Sequence, residues 1–480
     1  MVKGVSFGDL PSHIIGHILL RLPIKSIFIC KCVCRSWKTL ISDPHFAKLH
    51  LQRAPAGLLI RARDPDPNRV SRILHLMEYE PENFENDDDD QFCCCDDFFI
   101  NPECNSHLKL ENNFKLPRCG ANLVLDKRDE TMKRGRQRHY ISSKPEDDKF
   151  VVLNSCNGLL CLSDVHRDYV VVCNPITGEF IRLPEATRVC KIDNGRREIY
   201  CGFGLQPKTN EYKVVRISKR YWGSYPEIKR SMAVEVHTLG ASSWKNVDVD
   251  PSVFEWFAYH WCTATCLGFP TYVSGVLHWI GFYDHHAIFC FDFESERFQS
   301  FPSPPHLFKK YDPTHITMGE LKGSLYICDS SSSSSVDIPV KMWIMKKYGF
   351  GESWTKVFSI DTMSRDRWPY GGLYWPVKHF KNGAAILMYH SSNCFIYYEP
   401  EKYGFKIFKV RGTKSTFEVI PHIPNLTSLK DAVKGDDIEV LNVHSSSAEF
   451  KLVEENAVLF LAKVNVEVAN VYSISSDDEE

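Results

Sequence analysis

The chain has 18 cysteines in 480 residues, but no Cys-x-x-Cys pair occurs among them. Structural zinc sites take four ligands, commonly from such pairs, so this absence argues against a zinc-dependent fold. Many of the cysteines stand instead inside apolar stretches such as "NGLLCL" and "VVVCNP". Free cysteine in a reducing compartment behaves as a small buried hydrophobe. We therefore expect reduced thiols and neither a metal nor a cofactor.

The sequence also lacks a run of about twenty apolar residues, the length that a membrane-spanning helix needs. Its N-terminal segment is interrupted by Gly4, Asp9 and Pro11 and has no small-residue cleavage site. Neither sign of charge dominates, because 58 basic residues stand against 60 acidic ones. Such a balance gives no overall attraction to nucleic acid or to an anionic membrane. We expect a soluble protein of the cytoplasm, the nucleus or both.

Recognisable catalytic motifs are missing too, among them a nucleophile elbow, a His-Glu-x-x-His pair, a phosphate-binding loop and a dinucleotide fingerprint. The acidic, cysteine-rich stretch 86–99 lacks the glycine and the spaced glutamate of a calcium loop. The sequence therefore predicts a protein that binds and positions other molecules, without catalytic residues of its own.

The first fifty residues have the apolar period of helices. One set steps by three and four along residues 11–22 and comprises Ile14, Ile15, Ile18, Leu19 and Leu22. A second set follows Pro23 and comprises Ile24, Ile27, Cys30, Val33, Cys34, Trp37, Leu40 and Ile41. Asp43-Pro44 is expected to end the helical stretch.

Cys30, Cys32 and Cys34 alternate within the second set and raise the question of a metal site. On a helix each residue turns by about 100°, so Cys30 and Cys34 share a face and Cys32 lies nearly opposite. A strand would align all three thiols, but it would not explain the register of Ile27 and Trp37. The helical interpretation predicts that Cys30 and Cys34 serve as small apolar residues.

"DLPSHIIGHILLRLPIKSIFICKCVCRSWKTLISDPHF" resembles an F-box, and we assign that domain to residues 5–50. The resemblance implies a module of three helices that docks onto a Skp-family adaptor within a cullin-RING ubiquitin ligase. The adaptor contacts that it implies are Leu10, Pro11, Ile14, Ile18, Leu22, Pro23, Ile24, Ser26 and Val33, and Trp37 is expected to hold the helices together. A plain helical cap on the following domain stays open as an alternative.

From about Phe150 onward a unit of short strands repeats roughly every fifty residues, which is typical of a β-propeller. Successive units start at Gly158, near Tyr212, and at Gly275, Gly323 and Gly383, and an earlier segment supplies one more. Six blades are favoured, with seven or eight left open. Aromatic residues that begin the last strand of a unit are expected to pack between blades: Phe180, Trp244, Phe298, Trp354 and Phe405.

These units resemble the F-box-associated, kelch-like domain of large plant F-box families, which include the pollen S-locus F-box proteins. Pieces that carry the resemblance include "NSCNGLLCL", "CNPITGEFIRLP", "GVLHWIG" and "FCFDFESERFQSFP". We assign the propeller to residues 55–435, with 82–149 irregular and a possible insertion. Residues 436–472 form a C-terminal extension, and 473–480 form a disordered acidic tail.

Two segments, 254–261 and 365–376, concentrate the residue types that are enriched at interaction hot spots. Their candidate substrate-binding residues are Trp256, Tyr259, Trp261, Arg367, Trp368, Tyr370 and Trp375. Structural packing of the same residues is the competing interpretation.

The resemblance implies a substrate-recognition subunit of a Skp-cullin-F-box ubiquitin ligase, in which the F-box docks the adaptor and the propeller captures a protein. Two alternatives stay open at this point. One is a propeller that binds or converts a small molecule, and the other is an interaction scaffold without a role in ubiquitination.

Overall fold

The computed structural model describes residues 10–63, 70–77, 107–108, 112–117, 150–163, 169–186, 196–222, 229–250, 253, 270–280, 288–305, 315–330, 339–360, 372–380, 385–399, 404–410, 417–434 and 438–444. They form N-terminal helices followed by a β-propeller of six blades, so the predicted fold class and the favoured blade number are confirmed. Within these ranges no helix is both long and apolar enough to cross a membrane.

Four helices come first: α1 Ser12–Leu19, α2 Ile24–Val33, α3 Arg35–Ile41 and α4 Pro44–Arg53. The three predicted helices are α1 to α3. The expectation that Asp43-Pro44 ends the helical stretch is wrong, because these two residues start α4. Asp43 Oδ1 accepts a hydrogen bond from the backbone N–H of His45 at 2.8 Å, and Pro44 occupies the first helical position, where no N–H is needed.

The strands follow in chain order. The first twelve are β1 Gly57–Arg63, β2 Val70–Met77, β3 His107–Leu108, β4 Asn112–Lys115, β5 Val151–Cys156, β6 Leu159–Ser163, β7 Val170–Asn174, β8 Glu179–Arg182, β9 Arg196–Gln206, β10 Glu211–Trp222, β11 Lys229–Thr238 and β12 Lys245–Val247. The next eight are β13 Thr271–Val273, β14 Val276–Ile280, β15 Ile288–Asp292, β16 Arg297–Phe301, β17 Ile316–Leu321, β18 Ser324–Asp329, β19 Val340–Met345 and β20 Trp354–Ile360. The last are β21 Tyr374–Phe380, β22 Ala385–His390, β23 Cys394–Glu399, β24 Gly404–Val410, β25 Phe417–His422 and β26 Leu441–Asn442, with helix α5, Leu429–Ala432, between β25 and β26.

Each blade is a sheet of four antiparallel strands. From the innermost strand outward, blade 1 is β25-β1-β2-β4, blade 2 is β5 to β8, blade 3 is β9 to β12, blade 4 is β13 to β16, blade 5 is β17 to β20, and blade 6 is β21 to β24. Blade 1 takes its innermost strand from the C-terminal part of the chain, which closes the ring. The described residues of segment 82–149 supply β4 and also β3, which pairs in parallel with β24.

Three of the predicted repeat starts, Gly158, Gly275 and Gly323, lie in tight turns between the first and second strands of a blade. Tyr212 lies in the second strand of blade 3, and Gly383 lies outside the described residues. Both central residues of the three turns have positive φ, as type I′ hairpin turns require: Asn157-Gly158, Ser274-Gly275 and Lys322-Gly323. The predicted period is therefore correct. Each predicted unit starts one strand later than the blade does, because the inner strand of the blade precedes the turn.

Side-chain hydrogen bonds join neighbouring blades near their inner strands. Asn154 in blade 2 donates to the Phe203 carbonyl at 2.6 Å and accepts from the Phe203 N–H at 3.0 Å, in blade 3. Similar bonds run from Thr271 to the Met318 carbonyl, from Thr317 to the Tyr374 carbonyl and from Tyr389 to the Phe417 carbonyl. They satisfy buried carbonyl groups and connect blades 4, 5, 6 and 1 in turn.

The propeller has two faces. Because strands alternate in direction, the turns that join first to second and third to fourth strands lie at one end, which we call the near face. β1 begins there at Gly57, opposite His422 at the end of β25. The remaining connections between strands lie at the opposite end, the far face.

Residues 423–434 and 438–444, which we call the C-terminal strap, cross the near face of blades 2 and 3. Asn174 Nδ2 donates to the carbonyls of Asn425 and Thr427, each at 2.9 Å. Lys434 Nζ donates to the Thr209 carbonyl of blade 3 at 3.0 Å. β26 then pairs with the outer edge of β8, so the described part of the predicted C-terminal extension lies on blade 2.

One apolar core includes the helices, the strap and blades 1 and 2. Its buried members from the helices are Ile15, Leu19, Leu20, Ile24, Ile27, Ile41 and Phe46, and its blade residues include Leu59, Leu76, Leu160 and Val171. Leu426, Leu441 and Val443 of the strap pack against the same cluster. The helices are therefore seated on the near face by continuous hydrophobic contact.

Candidate docking surface

The first two helices leave four large apolar side chains at the surface. Ile14 and Ile18 of α1 are 39% and 37% exposed, and Ile29 and Val33 of α2 are 60% and 61% exposed. Within each helix the two residues are four positions apart, so they lie on one face. We call these four residues the docking surface.

The opposite faces of the same helices are buried. Ile15 and Leu19 of α1 and Ile24 and Ile27 of α2 are at most 6% exposed and belong to the core. Each helix is thus apolar on two sides, which is more than its own packing requires. Apolar surface that the chain itself does not cover is typical of a site for a partner.

The predicted adaptor contacts divide into three groups. Pro11, Ile14, Ile18, Pro23 and Val33 are exposed, and Leu10, Leu22 and Ser26 are half-buried. Ile24 is 1% exposed and lies in the core, so its assignment as a surface contact is wrong. As the first residue of α2 it faces inward with Ile27, three positions further along. Trp37 is half-buried and packs against the core, as expected for a residue that holds the helices together.

Ile29 was missed by the sequence analysis. It falls outside the inward stripe of Ile24 and Ile27, yet it is apolar and precedes Val33 by four residues. An apolar residue that lies outside the buried face of a helix indicates a position for a partner, and this pattern could have identified Ile29.

The three cysteines do not converge on a site. Cys30 is half-buried in the core, and burial raises the pKa of its thiol. Cys32 is exposed on the other side of α2, as the helical period predicts. The prediction for Cys34 is wrong: it is exposed and extended at φ −157°, where α2 ends. Its Sγ lies 3.1 Å from Ser36 Oγ, and this hydrogen bond lowers the pKa of the Cys34 thiol.

Charge around the docking surface is strongly one-sided. Across residues 10–53 the basic residues are Arg21, Lys25, Lys31, Arg35, Lys38, Lys48 and Arg53, whereas Asp43 is the acidic residue. An excess of basic residues on the helices that carry an apolar surface favours an acidic partner surface and speeds encounter at low ionic strength.

The candidate substrate-binding residues are placed only in part. Trp375, in β21, is half-buried; its ring stacks on that of Tyr389 with centroids 5.4 Å apart, and it packs against the core between blades 6 and 1. Its position therefore supports the packing interpretation. Trp256, Tyr259, Trp261, Arg367, Trp368 and Tyr370 lie outside the described residues. In the parts of the chain that the structure describes, no three His, Cys, Asp or Glu side chains are grouped to hold a metal.

Comparison with known proteins agrees with this architecture. The family description "F-box associated beta propeller domain" matches residues 122–433, and "F-box domain" matches residues 7–49. The strap residues 438–444 lie beyond both matches.

Curated relatives from Arabidopsis thaliana match over most of their length. F-box protein At3g07870 is 26% identical over 466 residues, which cover 89% of this chain and 94% of the relative. F-box protein CPR1 is 23% identical, with 85% and 86% covered. F-box/kelch-repeat protein At3g23880 is also 23% identical, with 81% and 90% covered.

Proposed function

Because the chain belongs to the F-box proteins that carry an F-box-associated β-propeller domain, we propose that it is a substrate-recognition subunit of a Skp-cullin-F-box ubiquitin ligase. The docking surface binds the Skp-family adaptor, and through it the cullin-RING ligase. The propeller captures a protein, whose lysines are then held close to a ubiquitin-charged enzyme. Tethering of this kind acts by raising the effective concentration of the target.

The observation that carries this proposal is the docking surface itself. Ile14, Ile18, Ile29 and Val33 are exposed on helices whose other face is fully occupied by the core. Because these side chains are 37–61% exposed, burying what remains of each in a partner contributes roughly half of the 1.5–3 kcal/mol expected for a fully exposed side chain, before the costs of association. The excess of basic residues on the helices adds selectivity for an acidic adaptor surface.

The seating of the helices supports a role in positioning. Because helices, strap and blades 1 and 2 share one core, an adaptor bound to α1 and α2 is held at a defined orientation to the propeller. The strands that flank segments 254–261 and 365–376, namely β12, β13, β20 and β21, end or begin at the far face. Capture at that face would leave the near face to the adaptor.

F-box proteins are generally adaptors, and we extend this to the present chain: it contributes binding and no catalytic group. We also place its complex in the cytoplasm, the nucleus or both, where cullin-RING ligases meet their targets. Neither a nucleic acid nor a membrane is part of the proposed assembly.

A pull-down with a Skp-family adaptor tests the docking step. Ile14→Asp with Val33→Asp changes two exposed positions and should abolish capture of the adaptor while the propeller stays folded. Phe350→Asp with Val357→Asp is the matched control, since these residues are exposed apolar positions of blade 5, 54% and 42% exposed. Equal adaptor binding by wild type and the docking variant would refute the assignment.

Reconstituted ubiquitination separates a ligase subunit from a plain scaffold. With adaptor, cullin, RING protein and a captured target present, the wild-type chain should support modification of that target, and the docking variant should not. Adaptor binding without any transfer to the captured protein would favour the scaffold alternative.

A further inference from the structure

The docking surface gathers much of the exposed apolar surface of the described chain. Eight large apolar side chains are exposed in the described ranges, and four of them are the docking residues of α1 and α2. The other four are spread over blades 1, 2 and 5. When no adaptor is bound, the docking surface is therefore the place where an apolar segment within reach gains most from contact.

The helices that carry this surface have little acidic charge of their own. Across residues 10–53 seven basic residues stand against Asp43, whose carboxylate already caps α4. Lys25 is exposed and precedes the two docking residues of α2 by four and eight positions, so it lies on the same side of the helix. Burial, and after it the like charge of Lys38, lowers the pKa of Lys31. The positive charge of the helices is thus largely uncompensated within the helices themselves.

The residues that follow the strap have the complementary composition. Residues 445–480, which we call the acidic segment, lie outside the described residues. They contain eight acidic and two basic residues, hence a formal net charge of −6 against −2 for the whole chain. The stretch "AVLFL" at 457–461 is apolar without interruption, and residues 477–480 are all acidic. A segment that is apolar and acidic matches a surface that is apolar and basic.

The strap brings the start of the acidic segment close to the helices. Leu441 and Val443, near the end of the strap, pack against the same core cluster as the inner faces of α1 and α2. The docking surface lies on the opposite side of these helices, and an α-helix with its side chains is about 10–12 Å across. The twelve residues 445–456 can span up to about 40 Å. The apolar stretch that follows them is therefore tethered within reach of the docking surface.

We propose that the acidic segment binds the docking surface and competes with the adaptor for it. The inference rests on the proposed function only in taking the competitor to be a Skp-family adaptor. Its apolar stretch covers the exposed side chains of α1 and α2, and its carboxylates lie near the lysines of the helices. An adaptor has to displace the segment, so the chain itself lowers its affinity for the adaptor.

Because the segment is tethered, a weak contact is sufficient. Attachment to the strap gives it an effective concentration of about 1 mM at the docking surface. A contact with a Kd of about 0.1 mM then covers the surface about nine-tenths of the time and weakens apparent adaptor binding about tenfold. A second copy of the chain is the less suitable occupant, since two docking surfaces would bring together helices with the same excess of positive charge.

Surface plasmon resonance on an immobilised Skp-family adaptor tests the competition. A chain that ends at His444 keeps every described residue and should bind the adaptor about tenfold more tightly than the full chain. Asp477→Lys with Asp478→Lys should give part of this gain, because like charges then meet on the helices. Asp248→Lys with Glu352→Lys makes the same change of charge at exposed positions next to β12 and β20 and should leave the affinity unchanged.

An apolar variant separates a direct contact from a long-range effect of charge. Leu459→Asp with Leu461→Asp makes the acidic segment more negative, which by itself would repel an acidic adaptor surface and weaken binding. Because it also removes apolar contacts with the docking surface, the proposal expects tighter adaptor binding. Weaker or unchanged binding by this variant would overturn the proposal.

Cross-linking with a carbodiimide, which joins carboxylates directly to lysine amines, tests the contact without the adaptor. Mass spectrometry of the full chain should find links from residues 477–480 to Lys25 or Lys38 within one molecule, and the links should decrease as salt rises. Lys346 and Lys356, which are exposed in blade 5, are the reference positions and should stay unlinked.

The outcomes are distinct. Equal affinity of the full and shortened chains, an equal gain in the charge control, or links that favour blade 5 would overturn the proposal. Links between molecules that increase with protein concentration would do the same and identify a second copy as the occupant. Links to the helices in a chain that fails to bind any adaptor would support the contact and refute the proposed function. Thermal unfolding checks that the shortened chain is intact, and if it is not, the two point variants decide.

Discussion

Trp244 Nε1 donates a hydrogen bond of 2.7 Å to the carbonyl oxygen of Pro184, which follows the outer strand of the preceding blade. Trp354 Nε1 makes the same bond to the Pro302 carbonyl at 3.0 Å, two blades further on. Each tryptophan stands where the outer strand of its own blade starts, so the bond joins the rims of adjacent blades. The prediction that these two aromatics pack between blades is confirmed.

Replacing Trp244 by phenylalanine should therefore destabilise the propeller. The ring is largely kept, but the Pro184 carbonyl loses its donor, and the expected cost is about 1–3 kcal/mol. Denaturant unfolding measures the change. Trp375→Phe is the control, because the Trp375 indole makes no hydrogen bond within the described residues and contributes by packing on Tyr389. An equal loss in both variants would show that ring volume, not the bond, matters.

The buried ion pair of Arg216 and Glu235 should affect the free energy of unfolding differently when one partner is replaced and when both are. The two residues stand opposite each other in β10 and β11, 2.8 Å apart and each 2% exposed. Glu235→Leu leaves a buried guanidinium without this carboxylate and should cost about 3–5 kcal/mol. Arg216→Met with Glu235→Leu removes both charges and should be clearly more stable than Glu235→Leu alone. A double variant that is no more stable than Glu235→Leu would contradict the expectation that the unpaired guanidinium is the cause of the loss.

Replacing Asn174, which holds the strap, should loosen the structure locally. Its side chain bonds two strap carbonyls, and its Oδ1 accepts from the Ile176 N–H at 3.0 Å. Asn174→Ala should cost about 2–4 kcal/mol, because buried polar groups lose their partners. Hydrogen exchange should rise over the strap and over β8 before other blades respond. Asn246→Ala, at an exposed position of β12, is the control and should leave the exchange unchanged.

Much of the fold could be predicted from the sequence, because it depends on local signals. The helices α1 to α3 follow from apolar residues three and four apart, and the blade period follows from recurring turns such as Asn157-Gly158. The fourth helix was missed because Asp43-Pro44 both stops one helix and starts another. Local sequence does not show which of these two effects dominates.

The remaining errors concern long-range contacts. Ile24 and Ile29 are both apolar residues of α2, and only the core shared with blades 1 and 2 decides that Ile24 is buried and Ile29 exposed. The strap is a similar case, since nothing near Leu441 indicates that it pairs with Phe180, far earlier in the chain. Periodicity identifies a face, but tertiary packing determines what covers it.

Ile29 should contribute to adaptor binding although the resemblance did not assign it. It is 60% exposed and lies one turn from Val33 on the docking surface. Ile29→Asp should weaken adaptor binding by about tenfold or more, since it places an unpaired charge in an apolar contact, and leave thermal stability nearly unchanged. Surface plasmon resonance measures the affinity for the adaptor. Ile27→Asp, at the buried position two residues earlier, should instead unfold the helices, so equal behaviour of the two variants would contradict the assigned faces.

The buried ring of His278 should make the free energy of unfolding depend on pH. Its ring is fully buried between the Thr271 carbonyl, 3.1 Å from Nδ1, and the Tyr348 hydroxyl, 2.9 Å from Nε2. Burial lowers its pKa to about 4, against about 6.5 in the unfolded chain. Between these values the unfolded chain takes up a proton that the folded chain does not, so stability is intact above pH 6.5 and falls by up to about 3 kcal/mol as the pH drops to 4. The free energies of unfolding of wild type and His278→Gln should therefore converge over that range. A difference that stays constant with pH would mean that the folded protein protonates this ring without cost.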